Sequence, residues 1–181
     1  MSAHAAADVS IAIRTLDAAE AQARLGELAD ILVDAVAHGA SVNFMAGFAR
    51  EGALFFWRNQ LPGLAADEKR LFVGDDGRRL VATALLMFAQ QPNQPHRAEI
   101  GKMLVLAAAR RQGLGRRLLA AAEQTAREQG RTLLMLDTES GSAGDLLYRG
   151  CGWTEFGRVP GHAFKPDGRL AETTFFYKRL A

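Results

Sequence analysis

Residues 109–119 read ARRQGLGRRLL, with Gly113 and Gly115 set among Arg110, Arg111, Arg116 and Arg117. Glycine offers a bare backbone face and ready access to positive φ, while guanidinium groups supply charge-assisted hydrogen bonds. The flanks decide how both are used. Upstream, AEIGKMLVLA (98–107) is an apolar run of strand length; downstream, Leu114, Leu118, Leu119, Ala122 and Ala126 recur at helical spacing. The stretch is therefore a junction between a buried strand and an amphipathic helix. A helix start presents unpaired N–H groups and a partial positive charge, which suits an anionic ligand. The stretch has no G-x-G-x-x-G pattern, and no Lys-Ser/Thr follows its glycines, which argues against dinucleotide and nucleoside-triphosphate loops.

Outward from this junction the chain alternates between two periodicities. VSIAIRTL (9–16) reads as a first strand, and Asp17 caps a helix that runs to about His38 and stops at Gly39. SVNFMAGFAREGALFFWRNQL (41–61) reads as a second helical segment ended by Pro62-Gly63. RLFVG (70–74), the turn DDG (75–77) and RRLVATALLMFAQ (78–90) form a hairpin, followed by the loop QPNQPHR (91–97). RTLLMLDT (131–138) is a buried strand, and a short helix spans about Ser142 to Gly150. GWTEFGRV (152–159) follows it, PGHAFKPDGRL (160–170) reads as loop, and ETTFFYKRL (172–180) is the closing strand. This order predicts a mixed α/β sheet covered by helices.

The 181 residues, 49% hydrophobic and 23% charged, predict one domain over residues 1–181 with a sizeable core. A formal net charge of +2 is too small to point to nucleic acid. Cys151, the sole cysteine, allows no intrachain disulfide, and the first residues carry no basic-then-apolar leader. No apolar run approaches the roughly 20 residues of a membrane helix. The four histidines have no metal-ligand spacing. The expectation is a cytoplasmic protein with no metal, no nucleic-acid partner and no membrane partner; monomer and homodimer stay equally open.

The segment Arg110-Arg111-Gln112-Gly113-Leu114-Gly115 resembles the R/Q-x-x-G-x-G/A motif of the GNAT N-acetyltransferase superfamily. Met103-Leu104-Val105 stands upstream at that family's spacing, and Tyr148, Gly152 and Trp153 fit its later Y-x-x-x-G-F/W segment. The resemblance implies a mostly antiparallel mixed central sheet with splayed central strands, and acetyl-CoA as co-substrate. It implies that the pyrophosphate rests on Arg110, Arg111, Gln112, Gly113, Leu114, Gly115 and Arg116, and that the pantetheine arm runs along Met103, Leu104 and Val105. Ala107 departs from the pattern, because many members carry proline there. HGASVNFMA, RAEIGKMLVL, LLMLDTESGS and VPGHAFKPDGRL further resemble the tabtoxin-resistance acetyltransferases, whose catalytic glutamate and aspartate fall on Glu99 and Asp137.

The residues themselves admit those roles. Glu99 opens the strand bearing Met103 to Val105 and Asp137 ends the next one, so either carboxylate can take a proton from an incoming ammonium. Tyr148 can return a proton to the departing thiolate, and the amide of Leu104 or a neighbour can polarise the acetyl carbonyl. Ser41 and Asn43, after the helix-stopping Gly39, are candidate acceptor-binding residues. Asp137 reads equally well as a turn-capping side chain, and Cys151, Phe55, Phe56 and Trp57 read as core. The expected function is direct acetyl transfer, in a ternary complex, to a small-molecule amine such as an amino-acid-like toxin or antibiotic. A protein-amine acetyltransferase and a non-catalytic acyl-CoA sensor remain the alternatives.

Overall fold

The computed structural model describes residues 10–180. Val9, placed in the first strand above, lies outside them. The described chain folds as β1 (Ala12–Leu16), α1 (Ala18–Ala23), α2 (Leu25–Ala37), α3 (Arg50–Arg58), α4 (Leu61–Ala65), β2 (Lys69–Asp75), β3 (Leu80–Phe88) and β4 (Arg97–Val105). It continues with α5 (Leu114–Glu128), β5 (Leu133–Glu139), α6 (Ala143–Gly150), β6 (Thr154–Phe164) and β7 (Leu170–Arg179). The strands form one sheet in the order β1-β2-β3-β4-β5-β7-β6, antiparallel except for β4 and β5.

β3 is buried on both faces because α2 packs on one and α5 on the other. The seam of α5 is Leu114, Leu118, Leu119, Ala122 and Ala126, as its spacing requires. On that side α5, the turn after α6 and β7 are tied by Glu123, which accepts from Trp153 Nε1 at 2.9 Å and from Lys178 Nζ at 2.8 Å. No helix among the described residues is long and apolar enough to cross a membrane.

Three readings change. The helix expected from Asp17 to His38 breaks at Arg24, although Asp17 caps it through a full capping box with Glu20. Residues 41–49 are not helical, and Pro62-Gly63 lies inside α4, where proline takes a first-turn position that needs no N–H. Pro160 to Phe164 are strand rather than loop, so only residues 165–169 form the β6–β7 tip. β6 is an edge strand with register shifts between Glu155 and Gly157 and between Val159 and Ala163, which admit the proline and glycine.

Candidate functional site

The parallel pairing of β4 with β5 covers only Arg97 to Glu99 against Leu133 to Met135. Beyond it the strands part, and a cleft of about 730 Å³ opens between them and the start of α5. Met103, Leu104, Val105, Arg110, Arg111, Gly113, Leu114, Gly115, Arg116, Tyr148 and Ser41 line it. Of the residues expected in the site, Gln112, Asn43, Glu99 and Asp137 do not.

A one-residue bulge shapes β4. Thr83 pairs with Leu104 and Leu85 with Gly101, so three steps on β4 face two on β3. Past the bulge, the Leu106 amide donates to Val81 O in β3 at 2.9 Å. Alternation points the Leu104 amide the same way, while Met103 and Val105 turn theirs toward the gap left by β5. The Val105 carbonyl also faces that side, where Arg110 Nε donates to it at 3.1 Å.

The loop into α5 is built for an anion. Arg111 and Gly113 hold positive φ of 66° and 74°. The first amide to bond back is that of Arg117, to Gly113 O. The amides from Arg111 to Arg116 donate to no described residue, so six consecutive N–H groups remain free at a helix start. A methyl group on Gly113 would meet nothing within 4 Å, whereas one on Gly115 would press on Leu147 at 2.9 Å. Gly113 thus keeps the ligand side bare, and Gly115 lets α5 approach α6. Arg116 reaches Gly150 O, and Arg117 turns away to Ile11 O at 2.7 Å. Ala107 keeps the N–H that a proline would lack, and that amide donates to Asp34 Oδ2 on α2 at 2.8 Å. The strand's exit toward the glycine loop is anchored from the opposite layer.

Tyr148 is 6% exposed, packed between Trp153 and Phe176 with ring centroids 6.0 Å from each. Burial, reinforced by the charge of Asp137, pushes its phenol well above the usual tyrosine range. Its hydroxyl has no hydrogen-bond partner among the described residues, and the residue lines the cleft.

Asp137 and Glu99 stand on the other face of the sheet. Asp137 pairs with Phe175 in β7, one position off the buried Leu136–Phe176 pair that faces Tyr148. Glu99 lies opposite Met87 and Met135, exposed, with Arg97 Nη2 at 3.3 Å. Asp137 is exposed near the end of β5, and its charge is felt at both Tyr148 and Lys102. Glu99 lies at the end of the paired segment, deeper in the sheet.

Ser41 borders the cleft, while Asn43 is exposed at φ 73°, a turn position that asparagine tolerates. Trp57 is fully buried, but Phe55 is 65% exposed, so the aromatic run is only partly core. Cys151 is half-buried and its carbonyl accepts from Lys178.

Sequence reading missed several cleft residues. His38 sits at the end of α2 with Nδ1 2.8 Å from Asp34 O, and Thr138 Oγ1 is 3.2 Å from Ser142 Oγ. Lys165, from the β6–β7 tip, pairs with Glu139 at 2.7 Å, and Ala46 N–H donates to Pro166 O at 3.0 Å. The tip thus ties down the 41–49 loop. The one sequence cue was Ser142, a helix cap whose hydroxyl also accepts the Asp145 amide.

The family model for the GNAT acetyltransferases matches residues 21–153. The chain belongs to the GNAT acetyltransferase family. Acetyl-CoA is the donor of this family, and the chain is an N-acetyltransferase within it. It is 35% identical over 115 residues to an uncharacterized N-acetyltransferase from the hisH-hisA intergenic region of Azospirillum brasilense, covering 62% of this chain and 67% of that one. The ribosomal-protein-alanine N-acetyltransferase structure from Brucella melitensis is similar with a TM-score of 0.74 at 26% identity, covering 93% of this chain and 99% of that one. The yncA structure from Salmonella typhimurium, solved with acetyl-CoA, has a TM-score of 0.75 at 22% identity over 95% of each chain. A phosphinothricin acetyltransferase from Sinorhizobium meliloti, also solved with acetyl-CoA, gives 0.75 at 19% identity over 94% and 89%. These two establish the fold, with its parallel β4–β5 pair, as the GNAT fold.

Proposed function

We propose that this GNAT enzyme acetylates the amine of a small, amino-acid-like molecule by direct transfer in a ternary complex. The observation that carries the reading is the run of six free amides, Arg111 to Arg116, at the mouth of the cleft where β4 and β5 part. The amides and Arg110, Arg111 and Arg116 suit the pyrophosphate of acetyl-CoA, and the Met103 and Val105 backbone suits its amide-bearing arm. Asp137, assisted by Glu99, takes the proton from the acceptor ammonium. The amine nitrogen then bonds to the acetyl carbon, the carbon–sulfur bond breaks, and Tyr148 protonates the leaving thiolate. The amide of Met103 or Val105, rather than that of Leu104, is oriented to polarise the carbonyl.

A small acceptor is favoured because the 41–49 loop is tied to the β6–β7 tip, which narrows access for an extended peptide. An amino-acid-like toxin or antibiotic as acceptor rests on the resemblance of HGASVNFMA and VPGHAFKPDGRL to segments of the tabtoxin-resistance enzymes. The likeness to the Brucella protein favours a second reading, a protein amine. A panel of amino acids, β-lactam amino acids and N-terminal peptides, scored by product mass with acetyl-CoA, separates the two. Asp137→Asn and Glu99→Gln should lower turnover while acetyl-CoA still binds. Full turnover in both variants would exclude these carboxylates, and turnover of peptides alone would overturn the small acceptor.

A further inference from the structure

Lys102 occupies the β4 bulge at φ 48°, in the left-handed region that is strained for a residue bearing a side chain. In an unbroken strand it would follow Ala98 and Ile100 onto the α5 face. The extra residue instead carries its ammonium to the opposite face, 5.1 Å from the centre of the Phe56 ring on α3. That is the face bearing Asp137 and Glu99. The other three lysines are each engaged: Lys69 with Gln60 at 2.7 Å, Lys165 with Glu139 at 2.7 Å, and Lys178 with Glu123 at 2.8 Å. Lys102 is half-buried; its carbonyl accepts from Thr83 Oγ1 at 2.9 Å, but its ammonium has no hydrogen-bonded or ion-paired partner among the described residues. Asp137 is near enough for its charge to be felt but lies beyond ion-pair distance.

A half-buried cation without a counter-ion is unfavourable unless something supplies the anion. Here a strained backbone holds it on the sheet face that bears Asp137, the carboxylate proposed to receive the amine's proton. We propose that Lys102 binds the carboxylate of the acceptor, so that the substrates are amines carrying an anionic group, with the ammonium drawn to Asp137 and the anion to Lys102. This rests on the small-acceptor reading above and adds the acceptor's second charge to it. Burial lowers the lysine's proton affinity when the site is empty, and an arriving anion would reverse that. The Phe56 face alone offers only a weak cation–π contact and leaves all three ammonium donors free.

The test compares a panel of amino acids with their carboxamides as acceptors for the wild type and for Lys102→Met, Lys102→Arg and Lys102→Gly. Methionine keeps the apolar stem. Glycine relieves the positive φ, so it separates loss of the ammonium from loss of folding. The expected result is a preference for the free acids in the wild type. Lys102→Met and Lys102→Gly should raise KM for the acids about 10- to 100-fold, as loss of a charge-assisted contact implies. KM for the carboxamides and for acetyl-CoA should stay unchanged, and Lys102→Arg should restore part of the preference. Equal loss toward acids and carboxamides would show Lys102 acting through Asp137 or the fold and overturn the proposal. So would an acid preference that survives in the methionine variant. Turnover of neither series by the wild type would overturn the small-acceptor reading itself, and this inference with it.

Discussion

Replacing Gly113 with valine tests the anion cradle most directly. Two effects follow from the geometry, and they differ in kind. A β-branched residue at φ 74° is strained, at about 1–2 kcal/mol for a left-handed conformation. No neighbour lies within 4 Å of the added Cβ, so the Cβ itself adds no clash to that strain. The free protein should therefore fold, with a melting temperature lower by about 2–8 °C for a chain of this size. Ligand binding should suffer more, because the side chain stands on the bare face beside the six free amides. Losing one hydrogen bond to a charged group is worth about 1.5–3 kcal/mol, or about 10- to 100-fold in Kd for acetyl-CoA. Isothermal titration with acetyl-CoA reads the second effect and a thermal melt the first. Gly113→Asn separates their causes, since asparagine accepts positive φ yet still covers the bare face. Both variants should bind weakly. Wild-type affinity in the valine variant would refute the cradle, and recovery in the asparagine variant would show that glycine supplies only conformation.

Tyr148→Phe keeps the packing against Trp153 and Phe176 and should lower kcat about 10- to 100-fold with little change in KM for acetyl-CoA, measured by thiol release. Because burial raises the Tyr148 pKa above its ordinary 10.0, the neutral phenol's contribution to stability is complete below that pH and is lost as pH rises through the higher folded value. Chemical denaturation above pH 10 should accordingly weaken the wild type more than Tyr148→Phe. Asp34→Ala removes the acceptor of the Ala107 amide and should cost about 1–3 kcal/mol and loosen acetyl-CoA binding, while Asp34→Asn, which still offers an oxygen, should recover most of both. Lys178→Met leaves the buried Glu123 with Trp153 and a guanidinium 3.9 Å away, and should cost about 3 kcal/mol; adding Glu123→Gln should return part of it.

The residues that were legible are those whose role is local. The cap at Asp17, the stop at Gly39 and the seam of α5 follow from backbone geometry and side-chain period, and the structure holds each. The glycine loop was legible for the same reason, since its chemistry lies in consecutive amides. What escaped depends on tertiary placement. Pro160 read as a loop residue because its tolerance comes from an edge position and two register shifts that no local pattern announces. Pro62 read as a stop because the residue type fits a helix start equally well. Asp34 is one more polar residue on an amphipathic helix until β4 is laid beside it, and Lys165 gives no sign that a hairpin tip will carry it to the cleft. Arg117 was grouped with its neighbours by sequence and parted from them by helix rotation.

The bulge at Lys102 was equally invisible, yet it sets the relation between the two halves of the site. Before it, odd-numbered residues of β4 bond to β3: Ala89 N–H donates to Arg97 O, and the register carries Glu99 and Gly101 in phase with that pair. The even-numbered positions then face β5, where His96 O accepts from Thr132 and Leu133. After the bulge the phase is inverted, and Leu106 bonds to β3 while Met103 and Val105 face the gap. One inserted residue thus hands the outward amides from even to odd positions at the point where β5 leaves. A straight β4 would turn the Leu104 amide to the cleft, carry Lys102 to the α5 face and send every later side chain to the other side. Strand pairing below, a free backbone edge above and a lysine carried to the face that bears Asp137 all follow from that inversion. Deleting one residue at the bulge should therefore disturb donor and acceptor binding together, whereas Lys102→Gly, which keeps the bulge, should disturb the acceptor alone.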